Sequence, residues 1–261
     1  GYINKLGKVV IPFHYTYADD FSEGLAAVQI KEDGNFGFIN KQGEIVLPFK
    51  YNNFYGLSFS EGLAVVSENG KYGYIDKFGN TIIAFKYDYA LNFSEGLAAC
   101  ELNNKTGYIN KGGETVIDFQ YEHGSLYSNN IARVGILTPD SNTAIIFINK
   151  QGQNIFGDHY ERASQQKDGY FIVEKSDKYS ILKNTGEVIV PFEFDSYYIS
   201  DNFLDGSMCL KRNGKWVFID STGNQFIKEE YDTAYPFDGE FAEVFYNNNW
   251  SYIDKDANIY E

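Results

Sequence analysis

The feature that most constrains this chain is a glycine that keeps returning. GYINKLG, GFINKQG, GYIDKFG, GYINKGG, IFINKQG, SILKNTG and VFIDSTG each end on one: Gly7, Gly43, Gly79, Gly113, Gly152, Gly186 and Gly223. The spacings are 36, 36, 34, 39, 34 and 37 residues. An eighth copy begins at WSYIDKDA, residues 250–257, where Ala257 replaces the glycine. A period of this length marks supersecondary units that bury their apolar faces only by stacking on neighbours. The chain is expected to be one array over residues 1–261, about seven units of about 36 residues plus a partial eighth.

Each period has the same parts. Gly37-Phe38-Ile39-Asn40 reads as a short strand, and Lys41-Gln42-Gly43 as a three-residue hairpin loop with glycine in the left-handed position. Glu44 to Phe49 reads as a second strand. Ile45 and Leu47 face one side and Val46 the other, so coverage on both faces is expected. Pro12, Pro48 and Pro191 share one repeat position, which marks a sheet edge or strand end. An aromatic and polar connection, Tyr51 to Ser60, leads to a third strand, Leu63-Ala64-Val65-Val66. Asn69-Gly70 and Asn213-Gly214 between apolar runs are strong hairpin signals. Helical periodicity is absent. The predicted fold is all-β: a tandem array of three-stranded antiparallel meanders in an open superhelical, solenoid-like stack. The alternative is a closed β-propeller. Three strands per unit, against four per propeller blade, favour the open form.

Composition agrees with strands: 22 Tyr and 22 Phe stand against one Met. Lys and Arg total 22 against 36 Asp and Glu, a net charge of −14. That field repels nucleic acid and anionic membrane, and no basic stripe interrupts it. No apolar run reaches the length of a membrane-spanning helix. The sequence starts at Gly1, inside a repeat and without a signal-peptide pattern, and reads as a fragment from which a targeting segment can be missing.

FSEGLA is the one motif with a repeated carboxylate: it stands at 21–26, 59–64 and 93–98. Glu23, Glu61 and Glu95 are displaced from one another by whole units. A glycosidase instead needs two carboxylates facing one cleft. A row of calcium or ligand sites is the sharper alternative to a packing role. The decayed copies favour packing. YSNNIA (127–132), FLDGSM (203–208) and FDGEFA (237–242) keep the aromatic while the acid shifts or disappears. The phenylalanine is expected to anchor one repeat on the next. Ser and Glu are expected to satisfy local backbone N–H groups, and Gly to supply a special backbone shape. Ala26, Ala64, Ala98, Ala132 and Ala242 permit close strand packing.

The remaining chemistry is sparse. His14 and His159 occupy a position filled elsewhere by Lys, Gln or Glu, and His123 stands apart. Cys100 and Cys209 read as small core residues without metal-ligand spacing. No catalytic, cofactor-binding or metal-ligating residue is assigned, and no cofactor is expected. Segment 122–178 is the least regular and contains the longest period, so a specific partner site is sought there first.

NGKWVFIDSTG (213–223), GKYGYIDKFG (70–79), VIPFHY (10–15), VLPFKY (46–51) and FSEGLA together resemble the bacterial WG-repeat, or KWG-repeat, family. The namesake Trp survives as Trp216 and Trp250, while Phe36 and Tyr72 replace it elsewhere; the following Gly becomes Val217 and Ser251. The resemblance implies a bacterial repeat scaffold for binding and no reaction. The expected function is a non-catalytic scaffold for a protein partner. A glycan or cell-wall module using exposed aromatics is the alternative, and a polysaccharide hydrolase comes last.

Overall fold

A computed structural model describes residues 1–31, 34–52, 57–164, 168–197, 203 and 206–260. The described residues form strands and no helix, so none is long and apolar enough to cross a membrane. Contacts divide the chain into two compact units: Gly1–Leu137 with Ile148–Gln153, and Thr138–Phe147 with Asn154–Glu261.

The repeats fold into small antiparallel sheets. One sheet runs Phe59–Ser60, Leu63–Glu68, Lys71–Ile75, Thr81–Tyr87, each strand beside the next. Four-stranded sheets also run from Tyr17–Ala18 to Ile45–Tyr51, from Tyr89–Ala90 to Thr115–Tyr121, from Arg162–Ala163 to Val188–Phe194, and from Thr233–Ala234 to Ile259–Tyr260. This corrects the three-stranded meander. The additional strand is a two-residue edge strand drawn from the aromatic connection. The strand-count argument against a closed propeller falls with it. Part of that connection, residues 53–56, lies outside the described residues.

The turns follow the sequence signals. Gly43 is left-handed at φ 82° and closes the three-residue loop with its N–H on the Asn40 carbonyl, 2.9 Å away. The Asn40 side chain accepts from the N–H groups of Gln42 and Glu44, each at 3.0 Å. Asp76 does the same for Phe78 and Asn80 at 2.9 Å. This explains why the motif reads Asn or Asp at that point. Asn69 and Gly70 are both left-handed, as a two-residue hairpin turn of the primed type demands.

Coverage on both faces belongs to the inner strands, not to Ile45–Tyr51. Ala64 and Val66 pack with Leu25, Phe38 and Leu47 of the preceding sheet. Leu63 and Val65 join Phe93, Ala98 and Ile109 of the following one. In Ile45–Tyr51 only Leu47 and Tyr51 are buried, and Ile45 is 59% exposed. The physical reason is a bulge. Phe36 pairs with Tyr51 but Phe38 pairs with Leu47, so four residues oppose two and strict alternation breaks. Pro48 sits in this bulged, outermost strand.

A small residue makes the bulge possible. A Cβ on Gly37, Gly73 or Gly107 would lie 2.8, 2.6 or 2.7 Å from the carbonyl oxygen of Leu47, Ile83 or Ile117. In the copy with Ser180, the serine hydroxyl donates to the equivalent carbonyl, that of Val190, at 2.6 Å. All four copies carry a seven-residue outer strand. Where the position holds Ile146 or Val217, the segment keeps only isolated bridges: Ile145 to Tyr160, and Trp216 to Tyr231 with Ile219 to Gln225. A branched side chain and a close carbonyl exclude one another.

Candidate functional site

The three Glu-Gly pairs occupy hairpin turns. Ser22 and Leu25 exchange two backbone hydrogen bonds, at 2.9 and 3.0 Å, around Glu23 and Gly24. Glu23, Glu61 and Glu95 are left-handed, at φ 50°, 55° and 54°. Asn and Gly are the usual residues in such turns, so Glu is held there against local preference. Its side chain supplies the compensation. Glu23 accepts from the Gly62 N–H at 3.2 Å and from the Lys77 ammonium at 3.0 Å. Glu61 accepts from Gly96 N–H at 3.1 Å and from Lys111 at 3.0 Å. Glu95 accepts from Asn130 N–H at 2.9 Å and from Lys150 at 3.2 Å. Each carboxylate is tied to the turn of the next repeat.

Serine makes the parallel bond. Ser22 donates to the Phe59 carbonyl at 2.5 Å, Ser60 to Phe93 at 2.7 Å and Ser94 to Tyr127 at 2.7 Å. The expectation that Ser and Glu act locally is therefore corrected. They act one repeat ahead because stacking sets the next turn beside them. The aromatic anchors are placed as expected. Phe59 meets Phe38 at a ring distance of 5.2 Å, Phe93 meets Tyr74 at 4.8 Å and Tyr127 meets Tyr108 at 5.0 Å. Phe237 meets Phe218 at 5.1 Å. The alanines after Leu are buried throughout.

The decayed copies now have reasons. Asn129 and Asn130 are both left-handed and rebuild the same turn with residues that tolerate it. At 237–242 only Gly239, the first central residue of the turn from Asp238 to Phe241, is left-handed, which is the other primed turn. The acid moves because the turn type changes. In the copy at 203–208, Leu204 and Asp205 lie outside the described residues.

Glu23 and Glu61 titrate accordingly. Burial pushes the Glu23 carboxyl up, but the Lys77 ammonium and the Gly62 N–H outweigh it and hold the pKa below its ordinary value. Glu61 is held low against the same burial effect by Lys111 and the Gly96 N–H. A carboxylate with a depressed pKa in the folded state contributes stability above its unfolded pKa, about 4.3, and loses it as pH falls through the folded value. The urea midpoint is expected to drop as pH is lowered from about 5 to 3, and the Glu23→Gln/Glu61→Gln double variant to show a flatter profile. An equally steep profile in that variant would remove these groups from the acid response.

The other sequence candidates do not assemble. His14, His123 and His159 are all exposed, and His159 lies 3.9 Å from its neighbour Asp158. Cys100 and Cys209 are buried, and burial raises their thiols, Cys100 to about 12. Sequence reasoning missed one cluster. Carboxylate oxygens of Glu161, Glu174 and Asp177 lie within 4.8 Å of one another, inside the irregular segment.

Small four-stranded sheets, repeated along a chain and stitched turn to turn, define an all-β tandem-repeat protein. The family model for the WG containing repeat matches residues 1–33, 36–72, 72–105, 107–136 and 216–250. The chain belongs to the WG-repeat family. No curated protein matches it in sequence. Among solved structures, a eukaryotic initiation factor aligns over 95% of this chain and 77% of its own, at 12% identity and a TM-score of 0.56. An uncharacterized protein of Listeria monocytogenes aligns over 97% and 96%, at 13% identity and a TM-score of 0.45. A catalytically inactive virginiamycin B lyase from Staphylococcus aureus aligns over 96% of both chains, at 15% identity and a TM-score of 0.40. At such identities the first is a likeness of fold alone.

Proposed function

We propose that this chain is a non-catalytic repeat scaffold that binds a protein partner through the outer strands of its first compact unit. The observation that carries this reading is an apolar row. Val10, Val46, Ile82 and Val116 stand at one register of successive outermost strands, and they are 51%, 40%, 45% and 44% exposed. Single exposed aliphatics are ordinary, whereas one in every copy at one register is a patterned contact surface. The net charge of −14 favours a partner with a basic rim. The FSEGLA carboxylates support the non-catalytic part, since each is engaged by the next repeat.

The test is a Val46→Lys/Ile82→Lys/Val116→Lys variant, used beside the parent as bait for crosslinking in extracts of the source cell. The variant is expected to keep its melting temperature and lose specific crosslinks. An unchanged set of crosslinks overturns the row. Polysaccharide turnover abolished by Glu61→Gln would overturn the non-catalytic reading.

A second reading rests on a different surface. Trp250, Tyr252 and Tyr235 are exposed on the last sheet, and Tyr235 stacks on Trp250 with centroids 6.0 Å apart and planes 25° from parallel. Such a platform suits sugar rings. Glycan-array binding that survives high salt and is lost in Trp250→Ala would favour it over the protein partner.

A further inference from the structure

A recurring ion pair supplies the clue. The acid that follows the outer strand pairs with a lysine 17 residues earlier: Asp88 with Lys71, Glu122 with Lys105, Asp195 with Lys178 and Asp232 with Lys215. In the copy where the acid is Asn52, the lysine place holds Asn35, so both charges vanish together. Glu161 breaks the rule. It keeps the acid, while Ala144 stands where its lysine belongs.

The same copy also adds negative charge. The hairpin turn that holds Asn69-Gly70, Asn103-Asn104, Asn213-Gly214 and Asn247-Asn248 elsewhere holds Ser176-Asp177 here. Glu174 precedes it on the strand and is 7% exposed. Its Oε2 is buried and has no hydrogen-bond partner among the described residues. Tyr179 lies opposite Glu174 in register. Glu161 accepts one backbone bond, from Ser176 N–H at 2.9 Å. The Arg162 guanidinium lies 3.5 Å from Glu174 Oε2, but its side chain is 79% exposed and makes no hydrogen bond to that oxygen. Lys175 is held by Asp158 at 2.8 Å and Lys178 by Asp195. Three carboxylates against one guanidinium leave a net charge of two negatives at the cluster, with Arg162 on the buried Glu174 and none on the exposed Glu161 and Asp177.

We propose that Glu161, Glu174 and Asp177 bind a divalent cation of the calcium class, which takes the place of the missing lysine ammonium. The three ligand oxygens lie within 4.8 Å of one another. That spread accommodates an ion with oxygen ligands at about 2.3–2.6 Å, and an all-oxygen set selects hard cations. Glu174 supplies the buried ligand, Asp177 and Glu161 close the exposed side, and Arg162 swings into solvent when the ion enters. The site is separate from the apolar row and stands independently of the proposed function.

The full chain is titrated with calcium and with terbium, using luminescence sensitised by Tyr179, and its melting temperature is followed alongside. One saturable site and a calcium-dependent rise in melting temperature are expected. Glu174→Gln and Asp177→Asn are each expected to weaken binding by more than about tenfold. Ala144→Lys restores the lysine and is expected to abolish binding while the protein stays folded. Asp177, on an exposed turn, decides the matter if Glu174→Gln fails to fold. No saturable binding by the parent, or undiminished binding by Asp177→Asn or Ala144→Lys, overturns the site.

Discussion

Phe59→Ala is expected to lower stability by about 3–5 kcal/mol. Phe59 is 1% exposed and lies in the cluster that joins Phe38, Leu47 and Tyr51 of one sheet to Ala64 and Val66 of the next. Removing its ring leaves a cavity between two sheets that the Ser22 and Glu23 bonds to Phe59 and Gly62 hold together, so collapse is poor. Glu61→Gln is the control. It removes the charge that Lys111 and the Gly96 N–H face but keeps the side-chain shape, and it is expected to lose only about 1 kcal/mol. Urea melts of the two variants decide between them. Equal losses would make the carboxylate, rather than the ring, the principal tie between repeats.

Gly73→Val is expected to destabilise by about 3 kcal/mol and to strip protection from the strand Thr81–Tyr87. The new Cβ would lie 2.6 Å from the Ile83 carbonyl oxygen and 3.0 Å from the Ala84 carbonyl carbon. These are backbone atoms of the bulge and yield only if the strand moves away. Ile83 and Tyr87, both buried, would then lose their cover. Gly73→Ser is expected to do less harm, because Ser180 already makes a bond from this position to the Val190 carbonyl. Hydrogen exchange across residues 81–87 reads the difference. Full protection in Gly73→Val would mean that the glycine does not admit the outer strand.

Much of this architecture is visible in the sequence, and the reasons are local. Gly43 and Asn69-Gly70 announce their turns because left-handed backbone restricts residue choice within two or three positions. The Phe of FSEGLA announces itself because an anchor survives where polar detail drifts. The features that stay hidden depend on distance or on brevity. A two-residue strand such as Tyr89–Ala90 is too short to show alternation. Ile45-Val46-Leu47 reads as doubly covered because a bulge two residues further on has no signature of its own apart from Pro48. The partner of Glu23 is 39 residues away, at Gly62, and only stacking reveals it. The Glu161 cluster depends on a lysine that is absent at position 144, which shows only when the copies are compared at a spacing of 17.

The stitch has a direction. Ser22 and Glu23 reach forward to Phe59 and Gly62, and Ser60 and Glu61 reach forward to Phe93 and Gly96. A chain synthesised from its N-terminus presents, at each of the three FSEGLA turns, a hydroxyl and a carboxylate whose acceptor and donors have not yet been made. At these three turns, the order in which the ribosome delivers the repeats is the order in which the bonds can close.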